Sequence, residues 1–280
     1  MEAHAIGGYA KGCLAGAEAL PANGPGWQTM RLSRNRFWGH PELIAFIERL
    51  AKASKDKDGW TGLLVGDLTQ PRGGPMPGGH ASHQVGLDVD IWLKQAPKKT
   101  LTNKERENVS AVSMIKSRSK INPKTWTTKH AKLLRRAASD KKVARIFVHP
   151  AIKKQMCEWS KGQKDRTYWM SKLRPWYGHH YHFHVRLTCP KGDGNCKNQP
   201  APPPGPGCGT KLAWWLSDKP YRHVPKPGEK VAKKRDIRLA DLPRQCTVVL
   251  NKHNEKDDKK VAAKVNQVND KAPPTAGYLD

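Results

Sequence analysis

A chain of 280 residues is long enough to bury a full core, as one large domain or one domain with an appendage. Its 51 Lys and Arg against 24 Asp and Glu leave a net +27, a field that attracts polyanions, so nucleic acid and anionic polymers come first among partners. No apolar run near the N-terminus is long enough for a membrane span or a signal peptide, so if the protein is exported its leader has been removed.

In chain order, residues 1–26 form an irregular lead rich in Gly and Pro. Pro41 then heads a helix with Leu43, Ile44, Ile47 and Leu50 on one face, and Asp58-Gly59 turns the chain. Residues 61–67 read as a buried strand, followed by a loop, 70–79, with four glycines and three prolines, suited to a substrate-facing rim. In 87–93, Leu87, Val89, Ile91 and Leu93 alternate with Asp88, Asp90 and Trp92, giving a core face and a face with two carboxylates.

The stretch 96–124 is poorly patterned, with a helix expected over 103–116. A second helix over 128–142 carries Ala131, Leu134 and Ala138 with a basic opposite face, and 145–148 is a short strand ending at Pro150. Segments 151–159 and 167–173 read as helices. A second strand follows, placing His180, His182, His184 and Arg186 on one side and Tyr181, Phe183, Val185 and Leu187 on the other. Residues 198–208 form a Pro-rich extended loop. Trp214-Trp215 packs on the domain or forms a paired aromatic platform for sugar. Residues 218–235 read as a linker or arm, 242–251 as a short docked helix, and 254–280 as a partly disordered Lys-rich tail. Between Lys98 and Arg174 lie 22 basic and 5 acidic residues, either a solvated surface or one that holds an anionic polymer.

Six of the twelve histidines fall in two short clusters, His80 with His83 and His179-His180-Tyr181-His182-Phe183-His184. Isolated histidines such as His40 and His149 are read as structural. Paired with an upstream His and Asp, the His-x-His has the composition of an open catalytic zinc site. From His83 to Asp90 an extended chain would span roughly 23 Å, so both can reach one ion only if the chain bends, and Gly86 is the natural place. Six cysteines with no Cys-x-x-Cys spacing argue against a zinc ribbon or redox motif and for disulfides in an oxidising compartment, with 15 pairings open.

His83 to Asp90 followed by His182-Phe183-His184 resembles the metallopeptidase superfamily of lysostaphin, D-alanyl-D-alanine carboxypeptidases and Sonic Hedgehog. More narrowly, Gly78-Gly79-His80-Ala81-Ser82-His83-Gln84, Gly86-Leu87-Asp88-Val89-Asp90, Arg174-Pro175-Trp176 and His184-Val185-Arg186-Leu187 resemble the penicillin-insensitive murein endopeptidases, a likeness running from about Ile6 to Cys246. The resemblance implies an α+β fold, with a small antiparallel sheet carrying the zinc site among helices and disulfide-tied loops. Residues 1–216 would be the catalytic domain and 217–280 an arm and tail, with 242–251 held back by Cys246.

It further implies zinc on His83, Asp90 and His184, with the fourth position left for water. His182 would be the general base, and His179 and His80 would line the cleft for substrate binding or transition-state stabilisation. Ligation by both His182 and His184 is the rival assignment, and Asp88 either orients a ligand or serves the strand end. His180 departs from the family wording, and spacing to Trp176 favours His179. The implied disulfides are Cys13 with Cys246, Cys157 with Cys208, and Cys189 with Cys196. The implied substrate is the peptide cross-link of bacterial peptidoglycan, D-Ala to meso-diaminopimelate and between diaminopimelates, cut in the periplasm. A serine nucleophile at Ser82 lacks a recognisable nucleophile turn. Two other classes stay open: a zinc-bearing wall-binding module, and a metal-dependent nuclease. The nuclease is disfavoured because the basic residues lack interleaved aromatics that stack bases, so no specific nucleic acid is expected.

Overall fold

The computed structural model describes residues 2–77, 80–221 and 236–251. The tail at 254–280, and the arm from residue 222 to 235, lie outside the described residues.

Seven strands form the central sheet: β1 (Asn23–Gly24), β2 (Trp27–Thr29), β3 (Leu63–Val65), β4 (Asp88–Trp92), β5 (Val143–Val148), β6 (Leu173–Pro175) and β7 (His182–Leu187). Their spatial order is β6-β5-β7-β4-β3-β2-β1. The sheet is therefore large and mixed, which corrects the expected small antiparallel sheet. Its middle, β5-β7-β4-β3, is antiparallel, whereas β5 with β6 and β2 with β3 are parallel pairs. Each parallel pair is joined through helices, as parallel strands require: α1 (Pro41–Asp58) between β2 and β3, and α4 (Pro150–Trp159) with α5 (Arg166–Lys172) between β5 and β6. The added strands are two or three residues long, too short to carry a period-2 pattern.

Helix α1 begins where expected. His40 accepts a hydrogen bond at Nδ1 from the Glu42 amide, Pro41 occupies the first turn, and Gly59 closes the helix at φ 67°. Helix α4 repeats the device, with His149 accepting from the Ala151 amide ahead of Pro150. His40 and His149 are thus helix caps. Leu43, Ile47 and Leu50 of α1 and Leu134 of α3 (Thr128–Ser139) belong to the main core cluster, together with Val89, Ile91, Phe183 and Val185 of β4 and β7.

Other expectations change at their edges. Residues 4–15 are an antiparallel hairpin, His4–Gly8 with Lys11–Ala15, hidden in a lead of small residues. The helix expected over 103–116 is only α2 (Asn103–Asn108), closed before Val109, and Ile115–Ser117 instead pairs with Lys120–Ile121. Helix α6 (Thr210–Leu216) carries the Trp pair, and α7 (Arg244–Asn251) lies against the N-terminal hairpin, with Cys246, Leu242, Ile6 and Cys13 in one apolar cluster. The disulfides are Cys13–Cys246, Cys157–Cys208 and Cys189–Cys196, the pairing the resemblance implies. Among the described residues no helix is long and apolar enough to cross a membrane.

Candidate metal centre

Strands β4 and β7 run antiparallel in a register that sets His184 opposite Asp90 and Arg186 opposite Asp88. Side chains alternate across a strand, so Asp88, Asp90, His182, His184 and Arg186 gather on the face away from Val89, Ile91, Phe183 and Val185. His83 reaches the same face because the chain between it and β4 turns sharply. His83 itself has φ 67° and Gly86 has φ 71°, so two left-handed residues share the bend expected of Gly86 alone. At Gly86 a Cβ would stand 2.3 Å from Leu14 Cδ2 and 2.8 Å from the His40 nitrogen, so only glycine fits.

Hydrogen bonds decide which ring nitrogens are free. His83 Nδ1 lies 2.6 Å from the Leu68 carbonyl, which can only accept, so Nδ1 carries the proton and Nε2 keeps its lone pair. Nε2 is buried without a hydrogen-bond partner and lies 3.5 Å from Asp90 Oδ1, itself buried without a hydrogen bond. His184 donates from Nε2 to Asp88 Oδ1 at 2.9 Å, which turns Nδ1 to within 3.2 Å of the same Asp90 Oδ1. Two imidazole nitrogens and a carboxylate oxygen thus converge in a buried place, an arrangement costly to leave unpartnered. A cation between them removes that cost, and a His/His/Asp donor set suits zinc.

Asp88 is the support. Fully buried, it accepts from His184 Nε2, from Arg186 Nε at 2.7 Å and Nη2 at 3.3 Å, and from the His83 amide at 3.1 Å, so one carboxylate orients both histidines. Burial raises its pKa, yet the charges of Arg186 and His184 outweigh that and hold it below the usual carboxylate range. Asp90 is likewise held well below that range: burial opposes ionisation, but His83, His182 and His184 favour it more. Burial alone would lower His184, but the two carboxylates push it up to about 9.

His80, His179 and His182 surround this point. Among the described residues, His80, His83 and Asp90 have ligand atoms all within 4.8 Å of one another. His80 Nδ1 is 3.9 Å from Asp90 Oδ2, while its Nε2 lies 3.2 Å from Asp67 Oδ2. Asp67, which the sequence did not mark, is itself gripped by Arg34 at 3.2 Å and Arg36 at 3.1 Å. Its position follows from backbone pairing: the Asp90 amide donates to the Asp67 carbonyl, placing the end of β3 beside β4. Nothing in residue spacing reveals that contact.

His182 Nε2 lies 3.7 Å from Asp90 Oδ1, its Nδ1 is buried without a hydrogen-bond partner, and burial lowers its pKa. The His179 ring sits 4.9 Å from that of His182 and 6.1 Å from that of His184. Burial first, then the charges of His182 and His184, lower its pKa to about 3. The His179 ring is therefore neutral at physiological pH. His180 turns away, with Nδ1 3.1 Å from the Ser113 hydroxyl. A groove of about 1120 Å³, lined among others by Lys11, Met76, His80, Gln84 and Lys197, opens beside His80.

Residues 5–251 match the family model described as penicillin-insensitive murein endopeptidase. Curated proteins of that name are similar along most of their length. The one from Haemophilus influenzae is 40% identical over 256 residues, 91% of this chain and 85% of its own. That from Klebsiella pneumoniae is 42% identical over 252 residues, 90% and 87%, and that from Salmonella newport 40% identical over the same length and coverage.

Proposed function

The chain belongs to the family of penicillin-insensitive murein endopeptidases, and from that premise we propose that it is a zinc-dependent endopeptidase cutting the peptide cross-links of bacterial peptidoglycan in the periplasm. The bonds proposed are those joining D-Ala to meso-diaminopimelate and one diaminopimelate to another. The observation that carries the reading is the buried convergence of His83 Nε2, Asp90 Oδ1 and His184 Nδ1. These three are the proposed zinc ligands, within a catalytic unit spanning residues 1–216. Zinc held there would supply Lewis acidity, to polarise a peptide carbonyl and to ease deprotonation of the attacking water.

The chain's own groups do the rest. His182, its pKa lowered by burial, presents Nε2 toward Asp90 and serves as general base, holding the proton until the leaving amine takes it. His179 Nδ1 is engaged by the Tyr177 carbonyl, which leaves its other nitrogen to steady substrate. His80, its Nε2 held by Asp67, lines the cleft for substrate binding or transition-state stabilisation. The compact His80, His83 and Asp90 group supports a second reading in which His80 replaces His184 as ligand.

The experiment is digestion of purified cross-linked muropeptide dimers, resolved by mass spectrometry, with and without chelator and beside His182→Ala. Dimers should become monomers by gain of one water, and chelator and substitution should both stop it. Zinc-loaded protein that leaves dimers intact would instead make this a wall-binding module.

A further inference from the structure

Eight large hydrophobic side chains are exposed among the described residues, and four of them, Trp176, Tyr177, Trp214 and Tyr221, lie in one cluster around Trp215. Trp176 is 49% and Trp214 45% exposed, far more than a ring this size shows when it serves only as packing. The chain invests in holding them there. Tyr177 is anchored through its hydroxyl on the Pro220 carbonyl, and the Arg118 guanidinium lies 4.3 Å over Tyr221 while paired with Asp218. Neighbouring rings meet at 50° to 84°, so they support one another edge to face and leave separate faces turned outward.

Beside them runs a groove of about 450 Å³, lined by Trp214, Trp215, Pro203, Pro204, Arg174 and Lys211 among others. The platform is close to the metal centre. Ring-to-ring steps of 5.4 Å from His184 to Phe147, 6.0 Å to Trp176 and 5.6 Å to Trp215 connect them.

We propose that this groove is a saccharide-binding site, with Trp214 and Trp215 stacking on the sugar rings of a glycan strand of N-acetylated amino sugars while Arg174 and Lys211 donate to its hydroxyl and acetamido oxygens. The chemistry favours a sugar. A pyranose presents a face of C–H groups that an indole covers and an edge of oxygens that needs donors, and the groove supplies both. Nucleic acid would ask for a track of free cations beside the rings. The groove offers two cations, Arg174 and Lys211, beside Pro203 and Pro204, and the nearby Arg118 is paired with Asp218, so its lining forms no such track. The inference rests on the endopeptidase reading, since every peptide cross-link hangs from such a strand. It adds a second grip that holds the strand while the peptide enters the cleft.

The test measures binding and cleavage separately on the full chain. Tryptophan fluorescence is titrated with two probes, peptide-free glycan strands and the neutral N-acetylglucosamine tetrasaccharide, for wild type, Trp214→Ala and Trp214→Phe. Both probes should bind. Trp214→Ala should weaken binding about tenfold, and Trp214→Phe, which keeps a ring face, should restore most of it. Binding should persist in high salt. Absence of binding, binding indifferent to Trp214→Ala, or a single-stranded oligonucleotide that binds through Trp214 and is lost with salt would each overturn the proposal. Wild-type cleavage of sugar-free cross-linked peptide dimers reports on the endopeptidase alone. Dimers cut without Trp214-dependent sugar binding sink the platform and spare the enzyme, and sugar bound with dimers intact does the reverse.

Discussion

At the scale of single residues, the proposed division of labour among five histidines turns on which nitrogen each leaves free. His83 and His184 each spend one nitrogen on a protein acceptor and aim the other at Asp90 Oδ1, whereas His80 is held by Asp67. Metal analysis of purified variants separates the roles. His83→Ala and His184→Ala should lose zinc, whereas His80→Ala and His182→Ala should keep one equivalent while losing about 10²–10⁴-fold in rate. Zinc lost in His80→Ala but kept in His184→Ala would move the ligand set to His80, His83 and Asp90. Asp88→Asn should retain the fold and weaken zinc binding about 10–100-fold, because the amide orients His184 less firmly and no longer balances Arg186. Of this site, the proposed ligands could be named from the sequence because alternation puts Asp88 and Asp90 on one face of β4 and His182 and His184 on one face of β7, and the register of the two strands then joins those faces. Asp67 and the Leu68 carbonyl could not. They enter through pairing of β3 with β4, which a periodic pattern within either strand cannot encode.

At the scale of elements, long amphipathic or alternating segments such as α1, α3, β4 and β7 could be read, as could β3 within the strand expected over 61–67, while the two- and three-residue strands β1, β2 and β6 that make the sheet wide and mixed could not. The bend before β4 shows the same limit in finer grain. A glycine was required somewhere between His83 and Asp90, yet the left-handed conformation of His83 itself has no residue signature. Gly86→Ala should therefore cost about 3 kcal/mol or more, from the strained backbone and the contacts with Leu14 and His40, and should weaken zinc binding with it. Thermal unfolding with zinc titration checks both.

Helix α4 holds a second feature the sequence hid. Lys153 is fully buried, donates to the Met170 carbonyl at 2.8 Å and the Pro206 carbonyl at 2.6 Å, and lies one turn before Cys157, which bonds Cys208. One helix face thus pins the Pro-rich loop twice. Burial, helped by the charges of Arg174 and Arg166, lowers the lysine to about 7. The folded state then binds fewer protons than the unfolded chain between pH 7 and the ordinary lysine range near 10.5, so this group's contribution to stability rises with pH across that window. Urea midpoints at pH 7 and pH 9 should show wild type gaining up to about 2 kcal/mol relative to Lys153→Met. Equal slopes in the two proteins would mean that Lys153 stays charged in the folded state throughout that range.

At the scale of the whole molecule, the ends of the described chain are tied together. Cys13 and Cys246 are 233 residues apart in sequence, and their bond fastens α7 to the N-terminal hairpin over a small apolar cluster separate from the main core. Asp236, Ile237 and Asp241 from this C-terminal stretch line the large groove that opens beside His80. The disulfide therefore bears on that groove rather than on the proposed metal ligands, which rest on β4, β7 and the bend before β4. Closing so long a loop restricts the unfolded chain strongly, so replacing both cysteines with alanine should lower stability by about 2–5 kcal/mol. The same variant should keep its zinc and cleave with a raised KM and a kcat close to wild type, because the groove wall loosens while the histidines stay on their strands. A fall in zinc content or in kcat at unchanged KM would place the C-terminal segment in the support of the metal centre instead.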